Sequence, residues 1–188
     1  MSEAVSACQG AKFAGAIRVE DAGVQGMITL RGDLSDENLA KAVKSVTGLA
    51  MPAARGVKRG AKGGVAWMSP DELLLFVDYE AADATVEKLN KALAGGHFLA
   101  VNVSDARAMF SLTGTGVRDV IAKGSPANLD PVALPEGEIR RSRIGQLAVA
   151  FWFDAPDQGH IVCFRSVGAH IFNWLSVASE SDTLPGVH

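Results

Sequence analysis

The chain has 188 residues, a net charge of −3 at pH 7 and 48% hydrophobic residues. This length suits one large domain or two small halves that share a core, and the hydrophobic content is sufficient for a core without disulfides or metal. The slightly acidic balance excludes the basic footprint of nucleic-acid-binding proteins and of proteins held on anionic membranes.

The N-terminal residues and the cysteines predict a soluble, cytoplasmic protein. The first residues lack the basic and apolar regions of a signal peptide, and no segment approaches the ~20 apolar residues that cross a bilayer. The two cysteines, Cys8 and Cys163, lie far apart in sequence, and Cys163 stands in an apolar run. We therefore expect free thiols, with Cys163 buried, and no disulfide framework.

The first half of the chain predicts a complete ferredoxin-like unit. Residues 1–20 are small, mixed and aperiodic, so we expect an N-terminal arm outside the core. The hydrophobic periods then predict a strand at 24–30, a helix capped by Ser35, a hairpin of strands at 65–68 and 73–78, a helix at 80–94 and a strand at 98–103. This order of strand, helix, strand, strand, helix, strand is that of the split βαβ, or ferredoxin-like, unit.

The second half of the chain repeats this order without its last strand. The predicted strand, helix, two hairpin strands and helix lie at 106–112, 116–123, 144–153, 160–164 and 167–177. Residues 179–188 are expected to form a flexible tail. We predict an α+β fold of two ferredoxin-like halves packed as one unit, spanning about 21–104 and 105–178.

Residues 52–64 are the most loop-like part of the sequence, and they carry four cations and no acid. The cations are Arg55, Lys58, Arg59 and Lys62. The glycine spacing does not match a phosphate-binding loop, which would need glycine at 61 and serine or threonine at 63. The segment is therefore either a flexible basic loop or an electrostatic contact to an acidic surface of a partner protein.

Two features nearer the C-terminus are further candidates for a partner interface. The mixed-charge segment 136–143, which includes Arg141 and Arg143, is either a solvated loop or a polar subunit contact. Phe151, Trp152 and Phe153 are consecutive, so on a strand at least one of them faces away from the core. An exposed aromatic side chain is typical of interface hot spots, and Trp152 is the candidate.

The sequence contains no recognisable catalytic or metal-binding motif. None of the four histidines falls at a metal-ligand spacing with another His or Cys, and the Gly-x-Ser-x-Gly elbow is absent. The turn 114–119 stands between a strand and a helix, as in a dinucleotide site, but Asp119 replaces the third glycine. We therefore predict no catalytic, cofactor-binding or metal-binding residue in this chain.

The segment Val103–Gly114, continued by Val117–Leu129, is the most distinctive part of the sequence. It is accompanied by the turn at 67–74 and by the blocks 141–152 and 164–167. Together these blocks resemble the gamma subunit of heterotetrameric sarcosine oxidase. The family is also similar to the folate-binding module of the glycine-cleavage T protein, which shares a Leu-Thr-Gly … Arg-Asp-Val turn and has the same two α+β halves.

The resemblance implies a non-catalytic assembly subunit of an enzyme that oxidatively demethylates sarcosine to glycine, with hydrogen peroxide and methylenetetrahydrofolate as further products. It implies alpha, beta and delta partner subunits, with FAD and FMN in alpha and beta, NAD and tetrahydrofolate in alpha, and zinc in delta. No cofactor is expected on this chain. The alternative is a stand-alone folate-binding, one-carbon-transfer module of the T-protein type.

Overall fold

The computed structural model describes residues 3–181 and 183–186, and the chain divides into two units. The middle unit is Gln25–Asp105, and the terminal unit combines the residues up to Val24 with those from Ala106 onward. The strands are β1 (Lys12–Ala14), β2 (Arg18–Asp21), β3 (Gly26–Gly32), β4 (Val57–Gly60), β5 (Gly63–Ser69), β6 (Glu72–Val77), β7 (Phe98–Asn102), β8 (Arg107–Thr113), β9 (Ile139–Ile144), β10 (Leu147–Ala155) and β11 (Gln158–Phe164). The α-helices are α1 (Glu37–Thr47), α2 (Ala82–Ala92), α3 (Val117–Ala122) and α4 (Gly168–Ala178).

The middle unit is an antiparallel sheet with strand order β4-β5-β6-β3-β7. Strands β3, β5, β6 and β7, together with α1 and α2, form the predicted ferredoxin-like arrangement. Leu30 lies opposite Leu73 on one side and Ala100 on the other, and its side chain is fully buried. Leu89 of α2 packs into the same core, so the helices cover this face of the sheet.

Helix α1 begins one residue later than predicted, because Asp36 and not Ser35 caps it. The Asp36 carboxylate accepts a hydrogen bond from Asn38 N at 2.8 Å. The Ser35 hydroxyl donates instead to Asp33 Oδ1 at 2.6 Å, which removes it from the helix end. The chain leaves the helix at Gly48, whose φ of 74° suits glycine.

The segment predicted as a basic loop, 52–64, contains the strand β4 and the first two residues of β5. Val57 lies opposite Ala66 of β5, and Arg59 lies opposite Gly64. Val57 is 8% exposed, whereas the other three residues of β4 are exposed. A four-residue strand with one buried apolar side chain gives no alternating pattern, and for this reason periodicity alone predicts a loop here.

The terminal unit is an antiparallel sheet with strand order β1-β2-β8-β11-β10-β9. β2 pairs with β8. In its sheet, β2 thus takes the place that β7 takes beside β3 in the middle unit. The N-terminal residues therefore supply the final strand that the second half of the chain lacks, and the prediction of an arm outside the core over 1–20 is wrong. Ile17 and Val19 are 2% and 0% exposed. Because β2 is only four residues long and includes the charged residues Arg18 and Glu20, its sequence shows no clear hydrophobic pattern.

Helices α3 and α4 cover one face of this sheet. Val120 of α3 and Leu175 of α4 are fully buried against Phe110 and Phe151. The mixed-charge segment 136–143 leads into β9, which pairs with β10 at the edge of the sheet. Its strand portion is therefore not a solvated loop.

Residues that follow α4 also contact the terminal unit. Ser179 is fully buried, and its carbonyl accepts a hydrogen bond from Ala16 N at 2.7 Å. Leu184 packs against the core cluster of this unit. The prediction of a flexible tail over 179–188 is wrong at these positions, while residues 182, 187 and 188 lie outside the described part of the chain.

Candidate partner interface

The four cations of the predicted loop lie on one hairpin of the middle unit. Arg55 precedes β4, Lys58 and Arg59 stand on β4, and Lys62 lies in the turn to β5, all of them exposed. The Lys58 ammonium donates to Met51 O at 3.1 Å. Because this segment contains no acid, the four side chains, called the basic hairpin below, have the charge that would attract an acidic partner surface.

A second basic strand lies in the terminal unit. Arg141 and Arg143 are exposed and, two residues apart on β9, lie on the same face of the sheet. Arg140 lies on the opposite face, and its guanidinium donates to Ala133 O at 3.0 Å. Arg141 and Arg143 thus present two cations at a sheet edge.

β4 and β9 occupy equivalent places in the two units. Each is an edge strand, β4 beside β5 and β9 beside β10, one strand beyond the ferredoxin-like part of its sheet. Cations on an edge strand oppose pairing with a like-charged strand, such as that of a second copy. They attract an acidic segment instead, so both edges have the chemistry of a contact that selects acidic partners.

Trp152, predicted as an exposed aromatic, is fully buried. Phe151 and Phe153 face the helices, and Trp152 on the opposite face is also 0% exposed. Its indole stacks on the His160 ring with centroids 5.2 Å apart and donates to Asp154 Oδ1 at 3.0 Å. The prediction is wrong because it assumed one solvated sheet face, whereas both faces are buried at this strand. Trp152 is therefore not an interface side chain.

His160 extends this polar cluster across the sheet. Its Nε2 lies 2.9 Å from Asp154 Oδ2, and its Nδ1 lies 3.4 Å from Ser111 Oγ. Serine hydrolases use a serine, a histidine and an aspartate whose side chains are linked by hydrogen bonds in this order. Ser111, however, stands in the middle of β8 and not at a sharp turn that would expose a nucleophile beside backbone donors. Asp154 serves here to orient the stacked rings of Trp152 and His160.

Arg118 of α3 is a buried cation that the sequence patterns did not single out. Its Nη1 donates to Leu129 O at 2.8 Å and to Leu134 O at 2.9 Å, and its Nη2 lies 3.4 Å from Glu136 Oε1. The guanidinium carbon lies 3.9 Å from the centroid of the Phe153 ring. Burial lowers the pKa of Arg118, and the charge of Glu136 partly offsets this effect. The sequence signal that could have identified this buried cation is an arginine among the apolar residues of a helix. Through its bonds to Leu129 and Leu134, Arg118 anchors the irregular stretch between α3 and β9.

The turn at 114–119 is filled by side chains of the protein. Asp119 is 3% exposed. The Leu184 side chain lies so close over Gly116 that a Cβ there would collide with it. The space beside the turn, where a dinucleotide phosphate would lie, is thus occupied by apolar atoms.

The cysteines are both free, Cys163 buried and Cys8 half-buried. Burial raises the pKa of Cys163 to about 12 and also raises that of Cys8, so neither thiol has the character of an activated nucleophile. Among residues 3–181 and 183–186, no three His, Cys, Asp or Glu side chains converge as metal ligands. The helices of this same described part are too short or too polar to cross a membrane.

Comparison with known proteins gives concordant matches. The family described as sarcosine oxidase, gamma subunit family, matches residues 31–181. Sarcosine oxidase subunit gamma of Corynebacterium sp. (strain U-96) is 28% identical over 136 residues, which cover 71% of this chain. The chain spans 65% of the length of that relative.

Solved structures share the fold. A chain of heterotetrameric sarcosine oxidase from Corynebacterium sp. U-96, in complex with pyrrole 2-carboxylate, has a TM-score of 0.79 at 24% identity, covering 89% of this chain and 87% of that one. Glycine cleavage system aminomethyltransferase T from Bartonella henselae has a TM-score of 0.62 at 15% identity, covering 86% of this chain and 46% of that one. The predicted α+β fold, similar to that of the T protein, is therefore confirmed. With most of its length matched, the chain belongs to the sarcosine oxidase gamma subunit family.

Proposed function

We propose that this chain is the non-catalytic assembly subunit of a heterotetrameric sarcosine oxidase. In this proposal the complex oxidatively demethylates sarcosine to glycine and forms hydrogen peroxide and methylenetetrahydrofolate. The family match over residues 31–181 carries the proposal. The fold likeness to a chain of the Corynebacterium enzyme supports it, with a TM-score of 0.79.

The cofactors belong to the partner subunits in this proposal. FAD and FMN bind to alpha and beta, NAD and tetrahydrofolate to alpha, and zinc to delta, and the assembled enzyme works in the cytoplasm. The cations of this chain would contribute contacts with those partners. We place an acidic partner surface against the basic hairpin and a second one against Arg141 and Arg143, because both sets are exposed at sheet edges.

Omission of the chain tests the assembly role. The alpha, beta and delta subunits are expressed with and without this chain, and the products are compared by size-exclusion chromatography, flavin absorbance and sarcosine turnover. We expect the complete complex and its activity only when the chain is present, with recovery when purified chain is added. A three-subunit product with full activity and unchanged stability would contradict the proposal.

A stand-alone folate-binding module is the second candidate, motivated by the fold likeness to aminomethyltransferase T with its TM-score of 0.62. Calorimetric titration of the purified chain with tetrahydrofolate separates the two candidates. The assembly role predicts only the heat of dilution. Saturable binding by the isolated chain would favour the folate-binding module.

A further inference from the structure

Strand β7 is the edge of the middle unit's sheet at the end away from β4. Its residues, Phe-Leu-Ala-Val-Asn, include no charge, proline or glycine, and its pairing with β3 has no bulge. Leu99 and Val101 are 51% and 40% exposed and lie on the same sheet face. Edge strands are usually protected from pairing by a charge, a proline or a bulge. β7 has none of these, whereas β4 carries cations.

The backbone of β7 is oriented for pairing. Just beyond the strand, Val103 N donates to Met27 O at 2.8 Å. In an antiparallel ladder the hydrogen-bonded residues alternate, so Val101 and Leu99 bond to β3. The backbone N–H and C=O groups that point away from β3 are then those of Phe98, Ala100 and Asn102. In the sheet formed by the described residues, no strand lies beyond them.

A cleft of about 500 Å³ adjoins the start of β7. Phe98 and Leu99 form its apolar wall, and His97 lies beside them. Arg31, Asp33 and Asp71 line its other side. Arg31 and Asp71 form an ion pair with each other, and the Asp33 carboxylate accepts hydrogen bonds from Ser35. An apolar side chain next to β7 could therefore be buried against the uncharged wall of Phe98 and Leu99.

We propose that β7 binds an extended segment of a partner subunit, which adds to the sheet as a further strand. Uncharged side chains of that segment lie beside Leu99 and Val101, and one apolar side chain enters the cleft. Charged side chains are disfavoured beside Leu99 and Val101, because they would lose water there without gaining a counter-charge. This inference rests on the proposed function and names the surface through which one partner binds.

A second copy of the chain is the less suitable occupant. Five residues of strand extend over roughly 17 Å. Pairing two such strands buries far less than the ~1,200 Å² that a stable specific interface needs. A larger partner subunit adds contacts elsewhere, and the neutral strand β7 then supplies backbone hydrogen bonds and side-chain specificity.

The test uses full-length tagged chain in its native host, with the double variant Leu99→Lys/Val101→Lys. The matched control is Val132→Lys/Val177→Lys, which adds the same charge at side chains of the terminal unit that are 92% and 63% exposed. A second variant, Ala100→Pro, removes an outward N–H and so interrupts an added strand, while the backbone groups of Leu99 and Val101 can still bond to β3. Thermal melting confirms that each variant is folded.

We expect the wild type and the control to recover the same flavin-bearing partners, and the β7 variants to recover about tenfold less. Equal recovery by a folded β7 variant overturns the inference while the proposed function stands. If the wild type itself recovers no partner, the proposed function fails and the inference fails with it. Ultracentrifugation could instead show that the wild type is a dimer and that Leu99→Lys/Val101→Lys is a monomer. This result would identify a second copy as the occupant of β7 and would also overturn the inference.

Discussion

The indole of Trp152 lies stacked on the imidazole of His160, with ring centroids 5.2 Å apart, and both rings hydrogen-bond to Asp154. A tryptophan that could have been a partner contact is thereby fixed inside the fold. The candidates for partner binding are instead the basic edges and the neutral edge β7.

Replacing Asp154 by Ala should destabilise the chain by about 1–3 kcal/mol, because the buried indole N–H of Trp152 loses its acceptor. Asp154→Asn should cost less, since its amide oxygen can still accept that hydrogen bond. Urea unfolding followed by circular dichroism measures both. The matched control is Asp157→Ala on the exposed turn, expected within about 0.5 kcal/mol of the wild type. Equal stability of Asp154→Ala and wild type would refute this role.

Replacing Arg118 by Met should cost about 3 kcal/mol, because the carbonyls of Leu129 and Leu134 lose a charged donor inside the protein. Arg118→Lys should retain part of the stability that Arg118→Met loses, since one ammonium can donate to a carbonyl but lacks the planar fork of the guanidinium. Proteolysis within residues 124–138 should accelerate in Arg118→Met. The same substitution at exposed Arg143 serves as the control, and equal cleavage rates in both variants would contradict the anchoring role.

The carboxylate of Asp21 holds the N-terminal segment to the terminal unit. Its Oδ2 accepts hydrogen bonds from Ser6 Oγ at 2.6 Å, Cys8 N at 3.0 Å and Gly10 N at 3.1 Å. Asp21→Ala should therefore cost about 2 kcal/mol and speed hydrogen exchange at residues 6–10. Glu20→Gln, which removes only the surface ion pairs with Lys12 and Arg18, should change the free energy of unfolding by less than about 1 kcal/mol. Unchanged exchange in Asp21→Ala would disprove the anchor.

The Cys163 thiol should make stability fall at alkaline pH. Burial raises its pKa from the ordinary value of 9.0 to about 12. Because the folded pKa lies above the unfolded one, this contribution is fully present below pH 9 and is lost as pH rises toward 12. Cys163→Val should therefore show a smaller fall in urea midpoint from pH 8 to pH 10.5 than the wild type. Parallel curves for the two proteins would exclude the thiol as a cause.

The elements that could be predicted from sequence are those with a long hydrophobic period or a strong turn. Helices α1, α2 and α4 and the β5–β6 hairpin are of this kind. β2 and β4 could not be predicted, because each is four residues long and carries charged side chains on its exposed side. Their strand state depends on pairing with β8 and β5, which is tertiary information.

The candidate interface was predictable only in part. The cations at 55–62 and at 141 and 143 stand out by composition, and the fold adds that they lie on equivalent sheet edges. Neither the burial of Trp152 nor the exposure of Leu99 and Val101 follows from local sequence, since each depends on which neighbours cover the strand. A period-2 pattern gives the face of a strand but not what covers that face.

The most direct test of the assembly role is a pull-down of the tagged full-length chain from its native host, followed by mass spectrometry and a flavin absorbance scan. We expect recovery of flavin-bearing partner chains in one complex that turns over sarcosine. Recovery of the chain alone, without colour or activity, would contradict it.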